Sequence, residues 1–354
     1  MCRVFLVLLL SVIPLFLTAQ EVIQINVPSV GTAAKGQNLF SIEYVPLETT
    51  PDCLIDYWPL FYVTNDYIVV SCVSKKAFLF DRKSGRFIHE IGRKGEGPGE
   101  YYGFWSVSGF CEKEQLLYVC EFVRWKGYDI KTGKLKQVLK MPGKKYTIQN
   151  PYLYKPGVYL GYTNNTTGKT PYKMVAFDKN GIVSKIYPNY DEVELDTKKD
   201  GTPINAGLFY EYGGDTYFHA PGTDSLFRVT ETELVPYACF KHPKEMSIEV
   251  LGETKKFVVF KAIVKMQSHI AFYDKMKNTC YMDPGWDSLI EQYLYSKSTR
   301  FRLNKNRELT TTLNPEDILQ YIEKHPESRQ ELDKRLLDLQ EDDNPVVMIL
   351  KLKD

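Results

Sequence analysis

A glycine-rich segment is the first part of this chain whose residues could do chemistry. Residues 91–103 read IGRKGEGPGEYYG, a composition that also occurs in loops whose backbone holds phosphate groups. A dinucleotide site requires G-x-G-x-x-G between a strand and a helix, because the helix N-terminus holds the pyrophosphate. Here Gly97 and Gly99 supply the first two glycines, but Tyr102 occupies the third position and a β-rich stretch follows. The segment therefore predicts a turning connection that carries charged and aromatic side chains.

Other motifs for catalysis or metal binding are incomplete. The segment GYTNNTTGKT ends like a phosphate-binding P-loop, but Thr163 occupies a position that requires glycine. The five histidines are far apart, and the sequence contains no H-E-x-x-H, C-x-x-C or G-x-S-x-G pattern. Because sites assembled from distant residues escape such patterns, an enzyme stays an open alternative. The sequence assigns no catalytic residue, no metal ligand and no cofactor.

The opening segment and nearby aromatic residues supply the candidate ligand-binding side chains. Most of the 25 tyrosines are expected to fill space between strands, because tyrosine is favoured in sheets. Aromatic residues in predicted loops are better placed to stack on a ligand, and neighbouring charged residues can bind its polar groups. The candidates are Arg93, Lys94, Glu96, Glu100, Tyr101, Tyr102, Trp105 and Trp125.

The N-terminus has the composition of a secretory signal peptide. In residues 1–19, MCRVFLVLLLSVIPLFLTA, one arginine precedes an apolar run that ends in small residues. The run is short for a membrane span, is broken by Pro14 and has no basic flank on its far side. Cys2 precedes the run and is not placed for lipid attachment. The sequence predicts cleavage near Ala19 and an exported protein, periplasmic or extracellular, without a stable membrane anchor.

The mature chain is balanced in charge. Removal of residues 1–19 leaves 44 lysines and arginines against 44 aspartates and glutamates. Binding to a nucleic-acid backbone needs a basic surface, so no nucleic-acid partner is expected. Six cysteines remain, several of them in apolar runs where free cysteine behaves as a small hydrophobic residue. Buried thiols are favoured over a disulfide framework.

A repeated phrase organises the chain. An apolar strand ends in Phe-Asp or Tyr-Asp, and a turn containing a basic residue with Gly or Asn leads into the next strand. The clear copies end at Asp81, Asp129, Asp178 and Asp274, which are 48, 49 and 96 residues apart. Because the last spacing is twice the first, one degenerate copy fits between the last two, at SLFRVTETELV. This period predicts β-propeller blades, whose sheets cover one another when packed radially.

The two chain ends can complete the ring. Five copies precede residue 284, and a sixth can combine RFRLNKNRELTTTL, NPVVMILKLK and an N-terminal strand near EVIQINV or FSIEYVPL. Such closure protects sheet edges that would otherwise be open to pairing with other chains. The sequence therefore predicts a single all-β domain over residues 20–354, a six-bladed β-propeller closed by N- and C-terminal strands.

One region departs from the strand pattern. Around residues 314–341, Asn314 is the expected N-cap, Pro315 the first helical position, and Pro326 the end of a first helix. WDSLIEQYL is a weaker helical candidate. We expect a small helical insertion within the last blade that packs on its own domain, although an amphipathic helix can also bind a partner.

The segment FLFDRKSGRFIHEIGRKGEGPGEYYGFWSVSG resembles an NHL-type propeller repeat. It is more similar still to exported six-bladed propellers common in Bacteroidetes, of NHL-like or TolB-like type, which share the run GEGPGEY at Gly95–Tyr101. Asn344 and Pro345 before VVMILKLK resemble the closing strand of those proteins. An acidic-glycine motif that follows their fifth blade is not found at residues 283–288. The resemblance implies the fold and the exported location, and it carries over no catalytic residue.

These observations favour a non-enzymatic binding or scaffold protein. We expect a monomer that recognises a glycan or protein ligand through loops on one face of the propeller. The alternative is a propeller hydrolase or lyase with acids and a histidine or metal at the mouth of the central channel. Fold alone does not decide between the two, because propellers support both.

Overall fold

The computed structural model describes residues 21–353, apart from internal gaps. The gaps are residues 33, 37–38, 57–58, 73–75, 103–108, 122, 144, 147, 149, 164, 166–168, 191–206, 221, 266, 286–288 and 299. The described strands form six sheets, which are the blades of a β-propeller. The predicted fold is thus confirmed.

Three strands precede the first complete blade. They are β1 (Ile23–Asn26), β2 (Ala34–Gly36) and β3 (Phe40–Pro46). Each pairs with strands far away in the sequence. As a result, the N-terminal segment runs along the outer edges of three blades.

Blades 1 to 3 are four-stranded antiparallel sheets made of consecutive strands. Blade 1 contains β4 (Leu60–Val63), β5 (Tyr67–Ser71), β6 (Ala77–Asp81) and β7 (Phe87–Glu90). Blade 2 contains β8 (Gly109–Cys111), β9 (Leu116–Glu121), β10 (Arg124–Asp129) and β11 (Leu135–Lys140). Blade 3 contains β12 (Tyr152–Lys155), β13 (Val158–Tyr162), β14 (Tyr172–Phe177) and β15 (Val183–Pro188).

Blades 4 and 5 each have an added strand at the outer edge. Blade 4 contains β16 (Leu208–Tyr212), β17 (Asp215–His219), β18 (Ser225–Val229) and β19 (Leu234–Lys241), and β1 pairs with β19 in parallel. Blade 5 contains β20 (Met246–Glu253), β21 (Phe257–Val264), β22 (Gln267–Asp274) and β23 (Thr279–Pro284), and β2 pairs with β23 in parallel.

Blade 6 closes the ring with strands from both chain ends. It contains β24 (Arg302–Leu303), β25 (Glu308–Leu313), β26 (Val346–Leu352) and, at its outer edge, β3. The strand β3 pairs antiparallel with β26 over its full length, from Phe40 opposite Leu352 to Pro46 opposite Val346. FSIEYVPL is therefore the N-terminal closing strand, whereas EVIQINV supplies the added strand of blade 4.

The core lies between neighbouring blades. Middle strands such as β6 (AFLFD) and β9 (LLYVCE) have runs of at least four consecutive buried residues, because neighbouring sheets cover both of their faces. The outer strand β11 instead alternates exposed residues with partly or fully buried ones. Blades 6 and 1 meet through Val347 and Ile349 on one side and Ile68 and Phe78 on the other.

The repeated aspartate proves to be a turn residue. In blade 1 the Asp81 carboxylate accepts hydrogen bonds from the Ser84 backbone N–H at 2.8 Å and the Ser84 hydroxyl at 2.6 Å. These bonds hold the pKa of Asp81 below its ordinary value. Asp129, Asp178 and Asp274 accept backbone N–H groups in the same way. In the degenerate copy of blade 4, the Thr230 hydroxyl accepts the Glu233 N–H at 3.0 Å and replaces the missing carboxylate.

Two helices lie between the last strands, where the sequence predicts them. Helix α1 (Leu289–Lys297) connects blades 5 and 6, and α2 (Pro315–Lys324) starts the insertion between β25 and β26. After Pro326 the chain forms two short 3-10 helices, Pro326–Gln330 and Lys334–Leu336. The side chains of Ile318, Ile322 and Leu336 are buried in one cluster with β26 and β22. The insertion thus packs on its own domain, as expected.

The antiparallel blades give the propeller two distinct faces. Turns between the first and second strands and between the third and fourth strands lie on one face, which we call the hairpin face. The connections between blades and the turns between second and third strands lie on the opposite face, which we call the crossing face. Residues 91–102 belong to the crossing face, because they follow β7 of blade 1 on the way to β8 of blade 2.

The six cysteines among the described residues form no disulfide. Cys53, Cys72, Cys120 and Cys280 are buried. Burial raises the pKa of the Cys72 and Cys280 thiols to about 12, so that both remain protonated at neutral pH. The buried thiols that the sequence favours are present.

Candidate functional site

The glycine-rich crossing folds back on itself. The Gly95 N–H donates to the Tyr101 carbonyl at 3.0 Å, and the Tyr101 N–H donates to the Arg93 carbonyl at 2.9 Å. Within this loop the Glu100 carboxylate accepts the Gly97 N–H at 2.9 Å. A Cβ atom at position 95 would lie 1.9 Å from that carboxylate, so only glycine lets Glu100 close the loop. The segment is an ordered connection, as its sequence predicts.

A charged pair in blade 2 holds the crossing in place. Glu121, at the end of β9, and Lys126, in β10, are both buried, and their charged atoms lie 3.1 Å apart. The Glu121 carboxylate also accepts the Tyr102 N–H at 2.8 Å, and the Lys126 ammonium donates to the Glu100 carbonyl. The pair therefore binds the backbone of the crossing at two points, the Glu100 carbonyl and the Tyr102 N–H.

The charge of Glu121 is stabilised in spite of burial. Burial by itself would raise the pKa of this carboxyl, but the Tyr102 N–H and the Lys126 ammonium outweigh it, and the pKa lies below its ordinary value. Arg124, in the same hairpin, donates from Nε to Glu121 at 3.3 Å, while about half of its side chain is exposed. The terminal nitrogens of Arg124 make no hydrogen bond within the described part of the chain and are available to a ligand.

An open cleft of about 340 Å³ lies between the crossing and the hairpin of β9 and β10. Its lining combines three carboxylates, two cations and one exposed tyrosine. The lining residues are Gly95, Glu96, Gly97, Pro98, Glu100, Tyr102, Glu121, Arg124, Lys126 and Val138. The Tyr102 side chain is 61% exposed, although its backbone is fixed by Glu121. The cleft thus presents an accessible aromatic ring beside groups that accept and donate hydrogen bonds.

Three of the predicted binding residues line the cleft: Glu96, Glu100 and Tyr102. Arg93 and Lys94 are exposed on the same crossing but do not line it. Trp105 lies outside the described residues.

Two of the predicted aromatic candidates require a correction. Tyr101 is 0% exposed and packs edge-on against Tyr128, with ring centroids 5.7 Å apart. Trp125 was expected in a loop, but it lies in β10, is 1% exposed and packs against Phe177. Both side chains fill space between blades and present no surface to a ligand.

Sequence patterns did not identify Glu121, Arg124, Lys126 or Val138 as site residues. They belong to strands β9 to β11, whereas the rest of the cleft comes from the preceding connection. The available signal was the presence of charged residues between apolar ones in CEFVRWKG, because charges in buried strands are rare unless they are paired.

Other groups with catalytic or metal-binding potential lie apart from the cleft. The His269 Nδ1 atom lies 2.9 Å from the Asp283 carboxylate in blade 5, and His242 Nε2 lies 2.9 Å from Asp224 in blade 4. Among the described residues, no three histidine, cysteine, aspartate or glutamate side chains converge to hold a metal ion. No described helix is both long and apolar enough to cross a membrane.

Two solved structures share the architecture. A protein of Bacteroides fragilis NCTC 9343, provisionally described as exported, is 16% identical, with a TM-score of 0.70 over 94% of this chain and 100% of its own. A member of the DUF4221 family from Bacteroides vulgatus is 12% identical, with a TM-score of 0.50 over 89% of this chain and 98% of its own. At such identities the likeness concerns the fold alone. The NHL-like or TolB-like type stays a prediction.

Comparison at the level of sequence places the chain in a family. No curated protein matches it. The model of a family described as a domain of unknown function, DUF4934, matches residues 23–351, which include all six blades and the crossing that forms the cleft. The chain belongs to the DUF4934 family.

Proposed function

We propose that the protein is an exported binding or scaffold propeller that recognises a glycan or protein ligand at the crossing-face cleft. The observation that carries the proposal is the exposed Tyr102 ring beside a fixed carboxylate and guanidinium, Glu121 and Arg124, in an open cleft. Ligand sites typically combine a concave surface with a few convergent polar groups of this kind.

The chemistry of the lining favours a glycan. The face of Tyr102 offers an apolar platform for the C–H groups of a sugar ring. The carboxylates of Glu96 and Glu100 can accept sugar hydroxyls, and the terminal nitrogens of Arg124 can donate to them. A peptide is the alternative ligand, since Tyr102 and the exposed Val138 also offer apolar contact.

The site is pre-organised. The backbone of Tyr102 is hydrogen-bonded to Glu121, and Glu121 is in turn held by Lys126, so that little backbone ordering is needed on binding. A ligand that meets an already ordered site loses less of its binding free energy to ordering. The protein is proposed to act as a monomer, because one chain supplies the whole lining of the cleft.

Export is supported by the signal-like residues 1–19 and by the description of the Bacteroides fragilis neighbour. We propose a mature protein that begins near Gln20, in the periplasm or outside the cell. Intact-mass analysis of the protein recovered from its native host tests this directly. A mature mass corresponding to a start near Gln20 is expected, and a chain that retains residues 1–19 would contradict export with cleavage.

A thermal-shift screen of residues 20–354 against glycans, peptides and divalent cations tests the proposed function. A specific glycan or peptide is expected to raise the unfolding temperature, because a ligand at one hundred times its Kd stabilises by about 2.7 kcal/mol. Stabilisation by a divalent cation, with none by any glycan or peptide, would overturn the proposal and point to the channel-mouth hydrolase or lyase.

A further inference from the structure

We propose that the mouth of the central channel on the hairpin face binds an anionic ligand through Arg302, Lys305 and Arg307. Arg302 begins β24, and Lys305 and Arg307 lie on the turn that leads into β25, in the innermost hairpin of blade 6. This site is separate from the crossing-face cleft and does not depend on the function proposed for it. Its ligand class is a small molecule or oligomer that carries carboxylate or sulfate groups.

The contacts of this hairpin place it across the channel opening. The Arg302 guanidinium carbon lies 5.1 Å from the ring centroid of Tyr62 in blade 1, and that of Arg307 lies 5.8 Å from the ring centroid of Tyr212 in blade 4. In a six-bladed ring, blade 6 adjoins only blades 5 and 1. Arg307 therefore contacts a side chain of blade 4, which does not adjoin blade 6. The same Tyr212 ring also has the Lys275 ammonium of blade 5 at 4.3 Å from its centroid.

Lys305 supports the same placement. Its charge lowers the pKa of Glu112 in blade 2, in opposition to burial, which dominates and raises that pKa. Blade 2 is also not adjacent to blade 6. The mouth thus brings side chains of blades 1, 2, 4 and 6 together, and burial there raises the pKa of the Glu112 carboxyl.

The three cations have no carboxylate partner. Within the described part of the chain, none of Arg302, Lys305 and Arg307 lies within ion-pair distance of an acidic side chain. The acid in the same hairpin, Glu308, is already bound by Arg82 and Asn304. Two nearby cations differ because each has a carboxylate partner: Lys113 of blade 2 is paired with Glu211 of blade 4, and Lys275 of blade 5, which also lies over the Tyr212 ring, is paired with Glu253.

Stacking on tyrosine prepares both arginines for an anion. A guanidinium above an aromatic ring is held by cation–π attraction, which restricts its rotamers. Its N–H groups lie in the plane of the guanidinium and make no hydrogen bond to any described residue, so that they can bind a carboxylate or sulfate at two points. Arg302 and Arg307 hence each offer a pair of N–H donors to an anion, and Lys305, between them in the sequence, adds a third positive charge.

Titration calorimetry of the mature protein at low salt tests the proposal with trigalacturonate and inorganic sulfate, and with maltotriose as a neutral control. Binding of an anionic probe, absent for maltotriose and weaker at high salt, is expected. Binding of trigalacturonate alone assigns the site to carboxylates, and binding of sulfate identifies the sulfated class. Failure of both anions to bind would overturn the proposal.

The double variant Arg302→Gln/Arg307→Gln locates the binding. It should weaken the anion Kd by at least about tenfold, whereas Arg329→Gln, an exposed arginine in the helical insertion on the other face, should leave it unchanged. Unchanged affinity in the double variant would overturn the proposal. If that variant fails to fold, Arg302→Lys/Arg307→Lys is used instead, because it keeps the charge and loses the two-point fork. A measurable loss of affinity is still expected, and none would count against the site.

Discussion

Arg82 of blade 1 and Glu308 of blade 6 form a two-point ion pair across the joint that closes the ring. The guanidinium NH1 and NH2 atoms lie 2.9 and 2.8 Å from the two carboxylate oxygens, and both side chains are 11% exposed. Arg82 also donates to the Thr64 carbonyl at 3.0 Å. The pair thus links the first complete blade to the blade built from both chain ends, where no covalent connection holds the outermost strand β3 to β26.

Removal of one partner of this pair should destabilise the propeller. Glu308→Gln leaves a nearly buried guanidinium without its main counter-charge, and a loss of about 3 kcal/mol in the free energy of unfolding is expected. Urea unfolding measures it. As a control, Glu231→Gln removes the exposed pair with Lys155 and should cost less than about 1 kcal/mol. Equal losses of unfolding free energy in both variants would show that the Arg82–Glu308 pair contributes no more to stability than an exposed ion pair.

The same pair predicts a pH dependence. Burial alone would raise the pKa of Glu308, but hydrogen bonds from Arg82 and Asn304 outweigh it, and the pKa lies below its ordinary value. A lowered carboxyl pKa stabilises the folded state above the unfolded value of about 4.3 and loses that contribution as the pH falls further. The difference in stability between the natural protein and Glu308→Gln should therefore be full at neutral pH and narrow below about pH 4. A difference independent of pH would exclude this role for the charge.

A glycine at the closing joint gives a second test of the ring. Gly85 has φ of +71°, and a Cβ atom there would lie 1.9 Å from the Pro46 carbonyl oxygen of β3. Gly157 in blade 3 has a similar φ of +75° but open space around it. Gly85→Ala should therefore lose several kcal/mol, whereas Gly157→Ala should lose only about 1 kcal/mol from backbone strain. Thermal unfolding compares them, and similar losses would mean that β3 does not pack against this turn.

The cleft has its own stability test. Lys126→Met leaves the Glu121 carboxylate buried without its closest cation, and a loss of about 3–5 kcal/mol is expected. The double variant Glu121→Gln/Lys126→Met removes the uncompensated charge and should be more stable than Lys126→Met. Lys136→Met, which breaks the exposed pair with Asp129, serves as the surface control. If the double variant were the less stable one, the two charges would not act as a pair.

Local signals explain how far the fold was predictable. The repeated Asp81, Asp129 and Asp178 turns are short-range chemistry, visible in sequence because each carboxylate binds backbone groups two to four residues ahead. The copy at Thr230 was recognisable only by its spacing, since there a hydroxyl accepts the backbone N–H in place of a carboxylate. EVIQINV and FSIEYVPL were equally suitable as closing strands. Their partners, β19 and β26, are distant in sequence, and pairing at that range leaves no local pattern.

Of the candidate site, only the part formed by the crossing was predictable from the sequence; the part formed by strands β9 to β11 was not. The crossing was identified because glycine and proline mark an irregular connection, and Glu96, Glu100 and Tyr102 do line the cleft. The sequence did not show which of the two adjacent tyrosines would be buried and which exposed. Tyr101 points into the core and the adjacent Tyr102 into solvent, and the side of the chain that each residue faces depends on the hydrogen bonds to Arg93 and Glu121.

Calorimetric titration of the glycan or peptide found in the thermal-shift screen, against three forms of the mature protein, tests the central claim most directly. The forms are the natural sequence, Tyr102→Ala, and Tyr190→Ala, which truncates a tyrosine that is 86% exposed and does not line the cleft. The account predicts that Tyr102→Ala weakens the Kd by at least about tenfold while Tyr190→Ala leaves it unchanged. Equal affinity in all three forms would contradict ligand recognition at the crossing-face cleft.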